Sequence, residues 1–199
     1  CWSSAQDAYH SNFLGYKAGT GAIQAFCSNF LGVNAGYYAN YATNSNFFGK
    51  YAGGNCSGFG ACNANDSNFL GFAAGRAAYN AKYSNFLGRC SGAYATDACQ
   101  SNFLGQYAGC NATYAKYSNF IGRYAGTFAA NACHSTFIGY RAGYNASLSA
   151  SIAIGSCAIP TTSNQLALGS ATFPLSTTAG GDLVVNINGT IKTITLNTP

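Results

Sequence analysis

Charge is what this sequence has least of: 7% of its residues are Asp, Glu, Lys or Arg, against about 25% in an ordinary soluble domain. Its polarity comes instead from Asn, Ser, Thr, Tyr and Gln. Methionine is absent, Trp occurs once and Pro three times. The Leu/Glu/Lys/Ala mixture that builds long helices is missing too, which excludes a helical fold. Acidic groups are scarcest of all: Asp7, Asp66, Asp97 and Asp182 are the whole set, and none pairs with another at a repeating spacing. Paired-carboxylate catalysis therefore has no footing. No Ser/His/Asp or Cys/His constellation is visible either. Cys133 and His134 are neighbours, but adjacent strand residues point to opposite faces. The sequence predicts no enzyme and no cofactor.

The net charge of +5 comes from nine basic residues against four acidic ones. It reflects missing acid rather than a dense basic patch, so no nucleic-acid partner is expected. No apolar run approaches the ~18 residues a membrane span needs, so no membrane insertion is expected. No basic start followed by an apolar centre marks a signal peptide. The chain begins at Cys1 without Met, as a processed chain or a fragment would. Nine cysteines raise the question of metal or disulfides, yet there is no CxxC pair, and His10 and His134 lie far apart in sequence. A zinc site is not expected.

What the chain does have is one word repeated. SNFLG stands at 11–15, 28–32, 67–71, 84–88 and 101–105, with SNFFG at 45–49 and SNFIG at 118–122. The closing glycines, Gly15, Gly32, Gly49, Gly71, Gly88, Gly105, Gly122, Gly139, Gly155 and Gly169, are spaced 17, 17, 22, 17, 17, 17, 17, 16 and 14 residues apart. Counted from each glycine, Ala recurs at +3 (Ala18, Ala35, Ala52, Ala74) and +7 (Ala22, Ala39, Ala78), and Gly at +4 (Gly19, Gly36, Gly53, Gly75). Small residues recur where backbone turns or packs closely.

A 17-residue unit is too short for the helix pairs of longer repeats but suits short strands and turns. The sequence thus predicts an all-β fold: a parallel β-solenoid of about ten coils, stacked at about 4.8 Å into a rod of about 48 Å. Alternation places Asn12 and Leu14 on one face of the strand and Phe13 on the other. With the Leu column taken as inward, Asn12, Asn29, Asn46, Asn68, Asn85, Asn102 and Asn119 form an interior amide ladder. The Phe column (Phe13, Phe30, Phe47, Phe69, Phe86, Phe103, Phe120 and Phe137) then needs a second dry surface. Self-association is the simplest way to cover it, which makes these residues a trimer interface; the alternative is that they form the core.

SIAIGSCA at 151–158 and QLALGSAT at 165–172 resemble repeats of trimeric autotransporter adhesin heads, and the SNFLGxxAG units resemble repeats in tail fibres of phages and large viruses and in related bacterial fibre proteins. The resemblance covers roughly 11–172. It implies left-handed parallel β-rolls packed as a homotrimer, apolar faces meeting on the threefold axis, and no catalytic residues. This chain departs from the adhesin pattern in its 17-residue period and its many cysteines.

The resulting organisation is a lead-in at 1–10, a solenoid at 11–175 and a C-terminal hairpin at 176–199. Asn188-Gly189, flanked by β-rich runs, is the hairpin turn; the segment would cap and register three chains. Cysteine columns do not repeat in adjacent coils, which favours free thiols; a Cys56–Cys62 cross-link in the 22-residue unit is the alternative. Lys17, Lys50, Arg89, Arg123 and Arg141 follow the motif glycine and form a sparse stripe. It offers either ordinary solubility or attraction to an anionic surface. Tyr16, Tyr51, Tyr107, Tyr124 and Tyr140 could stack on sugars or pack between chains. Asn-x-Ser/Thr occurs at Asn55, Asn65, Asn111, Asn145 and Asn188, a pattern the repeat itself generates.

The function these features suggest is a fibre module, structural and adhesive. It would form the trimeric shaft or tip of a viral tail fibre or bacterial surface appendage, extracellular or on a virion, with itself and a cell-surface glycan or other envelope component as partners. The alternative is a purely structural filament subunit that assembles end to end without a receptor. An ice- or mineral-binding solenoid would need a flat Thr column, which is missing.

Overall fold

The computed structural model describes residues 5–54, 61–172, 182–187 and 190–195, the last two stretches for their backbone only. Each motif forms one three-residue strand. These are β1 (Asn12–Leu14), β2 (Asn29–Leu31), β3 (Asn46–Phe48), β4 (Asn68–Leu70), β5 (Asn85–Leu87), β6 (Asn102–Leu104), β7 (Asn119–Ile121), β8 (Thr136–Ile138), β9 (Ile152–Ile154) and β10 (Leu166–Leu168). They stack in sequence order into one parallel sheet. The chain is a β-solenoid of about nine turns, and no helix occurs among the described residues.

Register follows the columns, with Asn85 on Asn102, Phe86 on Phe103 and Leu87 on Leu104. A second, single-residue ladder joins Gln6, Ile23, Asn40, Cys62, Tyr79, Thr96, Thr113 and Ala130. It reaches back into the segment read as a lead-in. It also places Cys62, read as part of the insertion, in a regular coil, with Ala61 buried in the Ala column just before it. The extra residues therefore fall after Gly54. Residues 55–60, with Cys56 and Asn55, lie outside the described residues.

Between these ladders the backbone turns through left-handed conformations. In the coil after Gly88 these are Cys90 (φ 54°), Tyr94 (57°), Asp97 (51°) and Gln100 (56°). Such φ values are uncommon for non-glycine residues. Here each such amide donates to the preceding coil, as Cys90 to Phe72 O and Tyr94 to Arg76 O, both 2.8 Å.

The structure corrects the assignment of faces. Phe30, Phe47, Phe69, Phe86, Phe103, Phe120 and Phe137 are all completely buried within the single chain, and Phe13 packs against them from the end coil. Leu and Asn point outward. From β1 to β8 the interior holds one ring per coil, stacked at 4.7 Å in Phe86–Phe103 and Phe103–Phe120 with interplanar angles of 4° and 3°. The fully buried residues around the rings are mostly Ala and Ser, with the +4 Gly against each ring. A 17-residue coil encloses too little volume for the Leu column and the Phe column together, and full burial of a Phe is worth about 1.5–3 kcal/mol.

Ring and glycine also depend on each other. A Cβ on Gly109 would stand 2.2 Å from the Phe103 ring, and one on Gly126 2.2 Å from Phe120. The Gly at +4 leaves room for its own coil's Phe.

The serine of SNFLG, to which the sequence reading gave no role, forms an interior polar column. Ser101 is fully buried; its Oγ accepts from Ser118 N (3.0 Å) and donates to Ala115 O (2.5 Å). The same pair of bonds recurs at Ser84 and Ser118.

The C-terminal segment forms β11 (Asp182–Ile187) and β12 (Thr190–Thr195), paired antiparallel from Asp182↔Thr195 to Ile187↔Thr190. Two residues therefore join the strands, as the Asn-Gly signal requires. Asn188 and Gly189 themselves lie outside the described residues.

Candidate functional site

With the rings inside, two of the outward surfaces are the face of the sheet and the ridge of turns after each motif glycine. The sheet face carries two parallel columns. One is the expected amide ladder, now on the outside: Asn12 Nδ2 donates to Asn29 Oδ1 at 2.7 Å, Asn29 to Asn46 at 2.7 Å and Asn46 to Asn68 at 2.7 Å. It continues from Asn68 to Asn85 at 2.8 Å, Asn85 to Asn102 at 2.9 Å and Asn102 to Asn119 at 2.9 Å. Each amide keeps one N–H and one lone pair beyond the ladder bond. The second column is apolar: Leu14, Leu31, Phe48, Leu70, Leu87, Leu104, Ile121, Ile138, Ile154 and Leu168. Leu14 is 68% exposed and Ile154 42%. No charged residue interrupts either column along the ten strands.

The turn ridge carries the cations and the aromatics. Each basic residue of the expected stripe lies over a ring: Lys17 on Tyr16 (5.4 Å), Lys50 on Tyr51 (5.2 Å), Arg89 on Phe72 (5.7 Å), Arg123 on Tyr124 (5.0 Å) and Arg141 on Tyr144 (4.5 Å). Such pairs are worth about 0.5–1 kcal/mol at exposed sites. Tyr107 and Tyr124 stack at 5.2 Å and 3°, and Tyr140 meets Tyr124 edge-on at 6.2 Å. The structure therefore gathers the expected Tyr and Lys/Arg positions into one mixed surface. Sequence reasoning passed over Phe72, Arg76 and Tyr94 there. Arg76 lies 6.0 Å from the Tyr51 ring and 5.6 Å from that of Tyr94. It stands at +5, one turn from the basic column, so counting from the motif glycine alone does not reveal it.

Six of the described cysteines, Cys27, Cys90, Cys99, Cys110, Cys133 and Cys157, are free thiols. Burial pushes the Cys110 thiol up to about 11, helped by the nearby Cys90 and opposed by a bond from Asn111 Nδ2 to its Sγ at 3.3 Å. Burial also raises Cys62, against a backbone hydrogen bond involving Asn40. Among the described residues no group of three or more His, Cys, Asp or Glu converges to hold a metal. Asp97 and Asp66 accept hydrogen bonds from Asn80 (2.5 Å) and Asn44 (3.1 Å). His134 stacks on Tyr117 at 4.9 Å while Cys133 Sγ donates to Tyr114 O at 2.9 Å, so these neighbours engage different partners. No helix among the described residues is long and apolar enough to cross a membrane.

No family model and no curated protein matches the chain. The functional reading therefore rests on the geometry of the outward surfaces.

Proposed function

We propose that this chain is a structural and adhesive fibre module: a trimeric shaft or tip of a viral tail fibre or bacterial surface appendage that attaches multivalently to a cell surface. The observation that carries the reading is the uncharged apolar column that runs along all ten strands on the outside of the coil, with the amide ladder beside it from β1 to β7. A contiguous apolar stripe of this kind marks an interaction surface. Three copies meeting along it would dry the Leu side chains and let the outer amide valences pair between chains. The interchain seam in this reading is the Leu–Asn face, not the Phe column. The turn ridges then remain outside, three per rod, and repetition of weak contacts along them supplies avidity.

The end-to-end filament keeps one observation in its favour. β1 is the first strand of the ladder, and among the described residues Leu14 there is exposed and Phe13 only partly buried.

Light scattering of the purified chain with and without reductant tests the proposal. About three chains per particle, independent of reductant, are expected. Leu87→Asp together with Leu104→Asp should give single chains that keep their β circular dichroism. A wild-type monomer overturns the trimer, and polymers whose length does not respond to the Asp pair favour the filament.

A further inference from the structure

The turn ridge is not continuous. Along the +2 column Tyr51 is followed by Ala73 and Cys90 before Tyr107 and Tyr124 resume, and along the +5 column Ala93 and Cys110 follow Arg76. Small residues at these neighbouring positions leave a notch of about 270 Å³. Phe72, Tyr94 and Tyr107 are its aromatic lining, Phe72 one coil before Cys90 and Tyr107 one coil after it. Ala73, Ala93 and Cys110 are buried beneath it.

We infer that this notch is a binding site for one carboxylate-bearing sugar ring. The inference rests on the adhesive reading above and gives it a ligand class. The size sets the first limit: the volume falls just under the ~300 Å³ at which pockets for drug-sized ligands begin, so one ring fits and an oligosaccharide does not. The walls set the second, because three aromatic side chains around a ring-sized gap favour the apolar face of a pyranose, and two of them carry a hydroxyl for its polar edge.

Charge sets the third limit. The lining includes Arg76 and no Asp or Glu. Its guanidinium is held between Tyr51 and Tyr94, and Arg89 sits over Phe72, part of the aromatic lining. A guanidinium braced by rings supplies a fixed positive charge for a carboxylate. The Asn111 amide, also in the lining, adds a neutral donor and acceptor for a ring hydroxyl. In a protein with four acidic residues, an acid-free notch beside two arginines favours an anionic ligand over a neutral one.

The repeat itself supplies the test variants. Tyr occupies the +2 column at Tyr51, Tyr107 and Tyr124 with φ of 62°, 59° and 61°, close to the 54° of Cys90. Tyr also occupies the +5 column at Tyr37 and Tyr144. Cys90→Tyr and Ala93→Tyr should therefore restore the ridge, fill the notch and fold. Methyl glucuronide and methyl glucoside, which differ at C6 by the carboxylate, serve as probes in calorimetric and saturation-transfer NMR titrations of the whole chain.

Expected are millimolar binding of the glucuronide, at least tenfold weaker binding of the glucoside, and loss of binding in both Tyr variants. Arg76→Gln should erase the preference between the two sugars. No binding of either sugar at tens of millimolar, equal binding of both, or unchanged binding in the two Tyr variants would each overturn the inference. A free monosaccharide needs no assembled fibre. Binding by a wild-type monomer would therefore keep the notch and remove the trimer, whereas a trimer that binds neither sugar would do the reverse.

Discussion

The first eight coils and the last two are built to different plans. From β1 to β8 the strand carries Phe inward and the coil takes 17 residues, apart from the unit with the insertion and the 16 residues that follow β8. In β9 and β10 Ala153 and Ala167 replace the ring, Ile152 and Leu166 replace the outward Asn, and the step from Gly155 to Gly169 is 14 residues. The Gly at +4 disappears as well: Gly143 faces Phe137, but the corresponding position in the next coil is Ile159, exposed and with no ring to accommodate. The single-residue ladder ends at Ala130. Loss of the interior ring thus goes with loss of the +4 glycine and with the shortest coil.

Removing the ring should have the largest effect. Phe103→Ala leaves a hole between two stacked rings and should cost about 3–5 kcal/mol, read as a shift of the urea midpoint at unchanged slope. The converse change, Ala153→Phe, overfills a ring-free coil and should cost about 1–3 kcal/mol. Were it neutral, the short coils would not owe their length to the missing ring.

Gly109→Ala sharpens the same point, since a methyl group 2.2 Å from Phe103 combines a clash with a left-handed φ of 61°. A loss of about 2–4 kcal/mol is expected from overpacking and backbone strain together. That loss should shrink markedly when Phe103 is already Ala, a coupling that a double-mutant cycle measures. Ser101→Ala, which strands Ser118 N–H and Ala115 O in the interior, should cost about 1–3 kcal/mol. Asn102→Ile, which gives a long coil the outward residue of a short one, should change stability by less than about 1 kcal/mol and raise self-association. A large loss instead would make the half-exposed ladder a main support of the rod. The thiols give the smallest effect: Cys110 should alkylate far more slowly than exposed Cys27 at pH 8. Its rate should climb toward pH 11, because the folded protein holds that proton more tightly than an exposed thiol does.

Period, parallel stacking, amide pairing and the two-residue hairpin connection were all legible in the motif spacing, because a column in sequence becomes a column in space. Inside and outside were not. Alternation says only that Phe13 opposes Asn12 and Leu14; the choice depends on the volume a coil encloses, which the Ala and Gly columns limit. The paired disappearance of Phe and the +4 Gly after residue 143 was the available signal. The basic and tyrosine columns of the turn ridge were legible for the same reason as the strands. The notch was not, because it arises from small residues at Ala73, Cys90 and Ala93 in columns where Tyr also occurs, and from two columns facing each other across a turn.

Every ladder contact in the solenoid joins residues 14 to 22 positions apart, however long the rod becomes. Length is therefore a counting variable: inserting or deleting one 17-residue unit changes the span by about 4.8 Å and leaves every remaining coil with the same kind of neighbour. The length of such a molecule is the number of copies of one word, and each copy added or removed moves its two ends by one graduation.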